Sequence, residues 1–169
     1  MNTHQERAVT QAGRETARGP FTGLSAKATE LVLKTFYQVY NELGGGFLES
    51  VYHKAFAMAL RQAGLAVADK VEVPVYLRGA IVGNFRADPI VNGEVLLELK
   101  ALQALERNHH AQVLNYLRTT TRATTIEVAL LFNFGPEPQF KRFLLDNRQK
   151  RIRLYPCESV VESLGGSNR

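Results

Sequence analysis

Residues 88–100 read Asp-Pro-Ile-Val-Asn-Gly-Glu-Val-Leu-Leu-Glu-Leu-Lys, and this stretch decides how the fold is interpreted. The apolar residues at 95, 97 and 99 alternate with their neighbours, which is the period-two pattern of a half-buried strand. Glu98 and Lys100 therefore point to the opposite face of that strand. Residues 80–91 also predict a strand, so the two segments are expected to form a hairpin.

The turn of this hairpin determines whether Asp88 and Glu98 lie on the same face. Asn92-Gly93 is a typical two-residue turn, but a regular turn of that length would place Asp88 on the opposite face from Glu98. A three-residue loop at residues 91–93, with the glycine in a left-handed bulge position, would place both acids and the lysine on one face. A bulge at Pro89 would have the same effect. The sequence therefore predicts one irregularity here, and two regular strands joined by a two-residue turn would contradict a shared site.

The residue types on this face suit metal-dependent phosphodiester hydrolysis. Aspartate and glutamate are hard oxygen ligands for Mg²⁺ or Mn²⁺, which typically bind one or two carboxylates together with water and substrate phosphate. Lys100 beside them could polarise an attacking water or stabilise the charge of the transition state. Taken alone, however, an acid-x-lysine pattern is more often a solvated strand end, and Asp88 could simply terminate strand pairing.

A helix predicted to begin between residues 101 and 108 carries a second group of polar residues. Gln112 and Tyr116 are four residues apart and share one face of it. His109 lies one turn earlier and could share that face. The pair could hold a phosphate, a base or the lysine, or could be an ordinary surface pair.

Two further helices are predicted near the N-terminus, ended by Gly44-Gly45-Gly46 and by Gly64. In the second, Glu49, Tyr52 and His53 share one face. Glu49 is either an ordinary glutamate of a first helical turn or a carboxylate directed at the predicted acidic site, with Tyr52 or His53 beside it.

Composition limits the remaining possibilities. The 169 residues, of which 45% are hydrophobic, suit one domain at residues 23–155, between a flexible arm at 1–22 and a polar tail at 156–169. No apolar run could cross a membrane and no signal peptide is recognisable, and a lone cysteine fits a reducing cytoplasm. The net charge of +5 is a modest bias toward polyanions. The elements follow the order ααβββαββ, which predicts a mixed sheet flanked by helices.

At these residues the sequence resembles the PD-(D/E)XK nuclease superfamily, and more closely its GxxExxY branch. Gly46-Phe-Leu-Glu49-Ser-Val-Tyr52 matches the motif that names the branch. Asp88 and Glu98-Leu-Lys100 match the superfamily's acid and E-x-K, and Gln112-Val-Leu-Asn-Tyr116 matches the Q-x-x-x-Y motif of its RecB-like members. The resemblance covers about residues 25–145, and Pro89 directly after the acid departs from the usual pattern.

The resemblance implies a restriction-endonuclease-like α/β fold and a nuclease that cuts DNA or RNA with Mg²⁺ or Mn²⁺. It implies that Asp88 and Glu98 bind the metal, that Lys100 is the catalytic lysine, and that Glu49 completes the metal site. The expected accessory residues are Gln112, Tyr116, Tyr52 and His109. The alternative is a nucleic-acid-binding or assembly module that keeps the fold without turnover, and the first helix or the strand at residues 71–77 could support a homodimer.

Overall fold

The computed structural model describes residues 25–123, 126–146 and 151–155. The helices are α1 Ala26–Leu43, α2 Glu49–Gln62 and α3 Arg107–Ala123. The strands are β1 Val67–Ala68, β2 Val71–Leu77, β3 Ala80–Ala87, β4 Ile90–Val91, β5 Val95–Lys100, β6 Val128–Phe134, β7 Pro138–Asp146 and β8 Arg151–Tyr155.

Six of these strands form one mixed sheet in the order β1-β4-β5-β6-β7-β8. The neighbours β5 and β6 run parallel, and the other neighbouring pairs are antiparallel. The parallel pair requires a crossover, and α3 lies in that connection. The strands β2 and β3 form a separate two-stranded ribbon. The prediction of an α/β fold with a mixed sheet flanked by helices is confirmed.

One face of the sheet is covered by α1 and α2, whose apolar residues recur at helical spacing. Phe36 of α1 lies at the centre of this core, with its ring centroid 4.5 Å from that of Phe132 and 4.9 Å from that of Phe134. Gly44 ends α1 with a φ of 71°, a conformation that glycine adopts without strain. The first predicted helix and its glycine stop are therefore confirmed.

The opposite face carries a smaller core formed with α3. Val113 and Leu117 of this helix pack against a set of residues that includes Leu96, Ala129, Leu131 and Phe143 of the sheet. Successive residues of β5 thus belong to different cores, since residues 95, 97 and 99 face α1 and α2. Glu98 and Lys100 follow Leu96 on the α3 side, as the alternation predicted.

The predicted strand at residues 80–91 is wrong as a single element. It divides at Asp88-Pro89 into β3, which belongs to the ribbon, and β4, which belongs to the large sheet. The predicted loop at residues 91–93 is also displaced by one position, because Val91 pairs with Val95 and the loop is residues 92–94. The expected irregularity is nevertheless present, and continuing the register places Asp88 opposite Glu98.

The remaining differences concern short or terminal elements. The order ααβββαββ omitted β1, the division of the hairpin strand and β8. The predicted order contains no strand at residues 151–155, but these residues pair with β7, with Leu154 opposite Phe143 and Ile152 opposite Leu145. The predicted arm at 1–22 and the tail at 156–169 lie outside the described residues.

Candidate active site

Asp88 lies where the chain leaves the large sheet. Its side chain accepts a hydrogen bond that a backbone carbonyl would accept if the strand continued. The amide of Leu97 donates to the carbonyl of Pro89 over 2.9 Å, which is a regular ladder bond. The next such bond would require the carbonyl of Ala87, but β3 has turned into the ribbon. Asp88 Oδ2 instead accepts the amide of Leu99 over 3.1 Å. The division of the hairpin strand is thus what fixes this carboxylate against β5.

His53 of α2 holds the second oxygen of the same carboxylate. Its Nε2 lies 3.0 Å from Asp88 Oδ1. The hydrogen bond to Asp88 raises the pKa of His53 above its ordinary value, against the lowering effect of burial. The sequence placed His53 beside the acidic site as an alternative to Tyr52, and the contact between α2 and Asp88 could not be derived from local spacing.

The buried Glu98 and the partly buried Lys100 form an ion pair at the carboxyl end of β5. Glu98 is only 3% exposed, and Lys100 Nζ donates to its Oε1 over 2.5 Å. Burial, followed by the negative charge of Asp88, raises the pKa of Glu98 to about 7, although Lys100 opposes this shift. Burial would lower the pKa of Lys100, but its hydrogen bond to Glu98 and the surrounding carboxylates outweigh burial and raise it.

Glu49 adds a third carboxylate from the first turn of α2. Its side chain is exposed, yet its charge contributes to raising the pKa values of Glu98, Lys100 and His53. The structure therefore brings together Asp88, Glu98 and Lys100, with Glu49 within electrostatic reach.

The donor set determines which metal this site suits. Among the described residues, no three His, Cys, Asp or Glu side chains are arranged as a metal cage. Mg²⁺ and Mn²⁺ do not require one, because they bind through one or two carboxylates and keep several waters or substrate oxygens. Asp88 and Glu98 supply hard oxygen donors, and each carboxylate oxygen has a second lone pair beside its hydrogen bond. These residues therefore fit a hard divalent cation bound in an open site.

Gln112 and Tyr116 meet as predicted, but they also have a structural task. Gln112 Nε2 donates to Tyr116 Oη over 2.7 Å. The ring of Tyr116 stacks on Phe85 with centroids 4.3 Å apart and planes inclined by 5°. This stack fixes the ribbon against α3. His109 accepts the amide of Glu106 at its Nδ1 over 2.9 Å, which is a contact of the helix start.

Tyr52 requires a correction, because it is not placed to contact a substrate. Its side chain is fully buried and stacks on Phe134 with centroids 4.4 Å apart. Its hydroxyl donates to the carbonyl of Gly44 over 2.7 Å and accepts the amide of Phe47 over 3.1 Å. Tyr52 thus closes the loop that leads into α2, and it supports Glu49 through the backbone.

Asn133 is a site residue that sequence reasoning missed. It is buried beside Lys100, its register partner across the parallel strands. Its Oδ1 accepts the amide of Leu102 and its Nδ2 donates to the carbonyl of Leu102, both over 2.9 Å. A Cβ atom at Gly135 would lie 2.2 Å from that same carbonyl, so only glycine fits there. The available signal was a polar residue inside an otherwise apolar strand.

A comparison with family models agrees with this geometry. The model of the PD-(D/E)XK nuclease superfamily matches residues 26–143, most of the chain. The chain therefore belongs to the PD-(D/E)XK nuclease superfamily. No curated protein and no solved structure gives a significant match. Within the described residues, no helix combines the length and the apolar character needed to cross a membrane.

Proposed function

We propose that the chain is a metal-dependent nuclease of the GxxExxY branch that hydrolyses phosphodiester bonds. The observation that carries the proposal is the convergence of Asp88, Glu98 and Lys100 at the end of β5. The branch assignment is supported by the arrangement of its motif, in which the tyrosine hydroxyl fixes the loop that precedes Glu49.

Each residue of the site has a distinct role in this proposal. Asp88 and Glu98 would hold a Mg²⁺ or Mn²⁺ ion, and Glu49 of α2 would be a further ligand. When bound, the ion neutralises phosphate charge and lowers the pKa of a water. His53 orients Asp88 through the 3.0 Å contact. Lys100 positions the attacking water or stabilises the charge on the non-bridging phosphate oxygens.

The overall reaction is a simple hydrolysis. The water oxygen forms a bond to phosphorus, the bond from phosphorus to the leaving oxygen breaks, and the leaving oxygen takes up a proton. The net charge of +5 favours a polyanionic substrate. We place the activity in the cytoplasm, because a lone cysteine fits a reducing compartment.

The test is cleavage of labelled linear, circular and single-stranded DNA and RNA with Mg²⁺, with Mn²⁺ and with EDTA. The variants are Glu98→Gln and Lys100→Met, and the matched control is Glu94→Gln, which alters an exposed glutamate of the neighbouring loop. We expect metal-dependent cutting that falls by at least ~10²-fold in both site variants and is unchanged in the control.

Two results would contradict the proposal. The first is cutting that persists in both site variants, because the activity would then arise elsewhere. The second is the absence of cutting on every substrate while nucleic acid still binds, which would favour the binding or assembly module.

A further inference from the structure

The β2–β3 ribbon has an anchored half and a projecting half. In the anchored half Val73 and Ala87 are buried, and Phe85 stacks on Tyr116 of α3. The projecting half begins after Val75. There Tyr76 is 43%, Leu77 60%, Ile81 61% and Val82 60% exposed. Four large apolar side chains exposed within seven residues are unusual for a surface that contacts only water.

A bulge concentrates part of this apolar surface on one side. Val75 pairs with Gly83 and Tyr76 with Ile81, so Val82 is an extra residue without an opposite partner. At such a bulge the two adjacent side chains point to a similar side. Ile81 and Val82 are therefore directed to the same face as Tyr76.

The outermost position of the ribbon carries a positive charge. Arg78 and Gly79 form its turn, with φ values of 50° and 85°, which is the left-handed geometry of a tight hairpin turn. Along the ribbon, Glu72 is directly opposite Arg86, so these two charges offset each other. The charge of Arg78 lies nearer the tip of the ribbon than Glu72 and Arg86, next to the exposed Leu77.

The composition of the tip favours duplex DNA as its partner. Proteins that bind the minor groove insert aliphatic wedges such as Leu and Ile between base steps and contact phosphates with basic residues. Proteins that bind single strands instead use rows of aromatic side chains as stacking platforms. Three of the four exposed side chains here are aliphatic, with an arginine between Leu77 and Ile81.

The length of β3 gives the distance between the tip of the ribbon and the carboxylates of the site. β3 ends at Ala87, directly before Asp88, and begins at Ala80. Seven residue intervals at about 3.3 Å span about 23 Å. Since a DNA duplex rises 3.4 Å per base pair, this length corresponds to about seven base pairs.

We propose that the β2–β3 ribbon is a DNA-binding arm, which inserts Ile81 and Val82 into the base stack of a duplex up to about seven base pairs from the scissile phosphate. Arg78 contacts the backbone at the same place. This inference rests on the proposed nuclease function, and it identifies duplex DNA as the substrate class.

The experiment measures binding of a labelled duplex by fluorescence anisotropy, with Ca²⁺ in place of Mg²⁺, and cleavage separately with Mg²⁺. The tip variant combines Ile81→Gln and Val82→Gln. The matched control is Met58→Gln, since Met58 is 56% exposed on α2. We expect the tip variant to bind duplex DNA at least ~10-fold more weakly, because two buried aliphatic contacts are lost. The control is expected to bind as the wild type does.

Two further measurements distinguish the insertion of side chains between bases from a general loss of affinity. Arg78→Asn should reduce the slope of affinity against salt by about one phosphate contact, whereas Arg78→Lys should retain it. The fluorescent base 2-aminopurine, placed at successive positions from the cleavage site, should brighten on binding at one position no more than about seven base pairs away. The tip variant should abolish that signal.

The inference is overturned if the wild type does not bind duplex DNA, if the tip variant binds it as tightly as the wild type, or if the tip substitutions weaken only single-strand binding. It is also overturned if they convert a dimer to a monomer with unchanged DNA affinity, because the occupant would then be a second copy of the chain. Tip-dependent duplex binding without any cleavage would sustain the arm and refute the nuclease.

Discussion

The two faces of β5 carry different kinds of side chain, apolar on one face and charged on the other. Toward α1 and α2, the side chains of residues 95, 97 and 99 are fully buried among aromatic rings. Toward the other face, Glu98 and Lys100 bury opposite charges beside Asp88. Apolar burial stabilises the fold directly, whereas a buried ion pair loses hydration that its own attraction barely restores. The raised pKa of Glu98 is a sign of that cost. Substitutions on the two faces should therefore have different effects on stability.

Truncation of a side chain in the aromatic core should destabilise the protein most. Phe132 is fully buried, with its ring 4.5 Å from that of Phe36 and 5.3 Å from that of Phe56. Phe132→Ala should lower the free energy of unfolding by about 3–5 kcal/mol, because it removes a large side chain and leaves a cavity. Urea denaturation measures this change, with Phe132→Leu as the milder control. A loss below about 1 kcal/mol would contradict a tightly packed aromatic core.

The charged face should respond in the opposite way. The double variant Glu98→Met, Lys100→Met replaces the ion pair with apolar side chains of similar size. Such replacements are often neutral or stabilising by about 1–4 kcal/mol, so the melting temperature should stay constant or rise while cleavage disappears. Calorimetry and a cleavage assay on the same sample check both results. A strongly destabilised variant would mean that the pair is retained for folding.

Substitution of Asn133 should lower both the stability and the activity of the protein. Asn133→Ala leaves the amide and carbonyl of Leu102 without their partner, which should cost about 1–3 kcal/mol. Because Leu102 follows Lys100 by two residues, kcat should fall while KM stays nearly constant. Asn133→Asp keeps the acceptor but places a buried carboxylate oxygen against the carbonyl of Leu102, so it should be destabilised at least as much as Asn133→Ala. Wild-type kcat in Asn133→Ala would show that the clamp does not position the lysine.

The charged face should also make the stability depend on pH when EDTA removes divalent cations. The pKa of Glu98 is raised to about 7 and that of His53 is raised, so the folded protein binds more protons than the unfolded chain. Their stabilising contributions are present at low pH and are lost as the pH rises through the folded pKa values. The free energy of unfolding should therefore fall by about 2 kcal/mol between about pH 5 and pH 8.

Two controls isolate this dependence. Glu98→Gln should have a flatter profile, since the main titrating group is removed. Mg²⁺ should also flatten it, because a bound cation favours the ionised carboxylate. If the free energy of unfolding changed with pH by the same amount in the wild type and in Glu98→Gln, the assignment would be refuted.

Local pattern was sufficient for the elements that carry most of the chemistry. Residues 95–100 and the face of α2 that carries Glu49 follow from their spacing alone. The division at Asp88-Pro89 does not, because it depends on a carboxylate replacing a backbone carbonyl of a strand that has moved to another sheet. The contact of His53 with Asp88 and the clamp of Asn133 on Leu102 likewise join residues far apart in the chain. The strand at residues 151–155 was missed because its basic residues concealed the alternation of Ile152 and Leu154.

A metal site at the end of β5 can be tested by measuring the binding of Mn²⁺, followed by electron paramagnetic resonance, in the presence of a nuclease-resistant phosphorothioate duplex. The compared chains are the wild type, Glu98→Gln and the control Glu94→Gln. Our account predicts Mn²⁺ binding in the wild type and in Glu94→Gln, and at least ~10-fold weaker binding in Glu98→Gln. Equal binding in all three chains, or none in the wild type, would contradict a catalytic metal site at the end of β5.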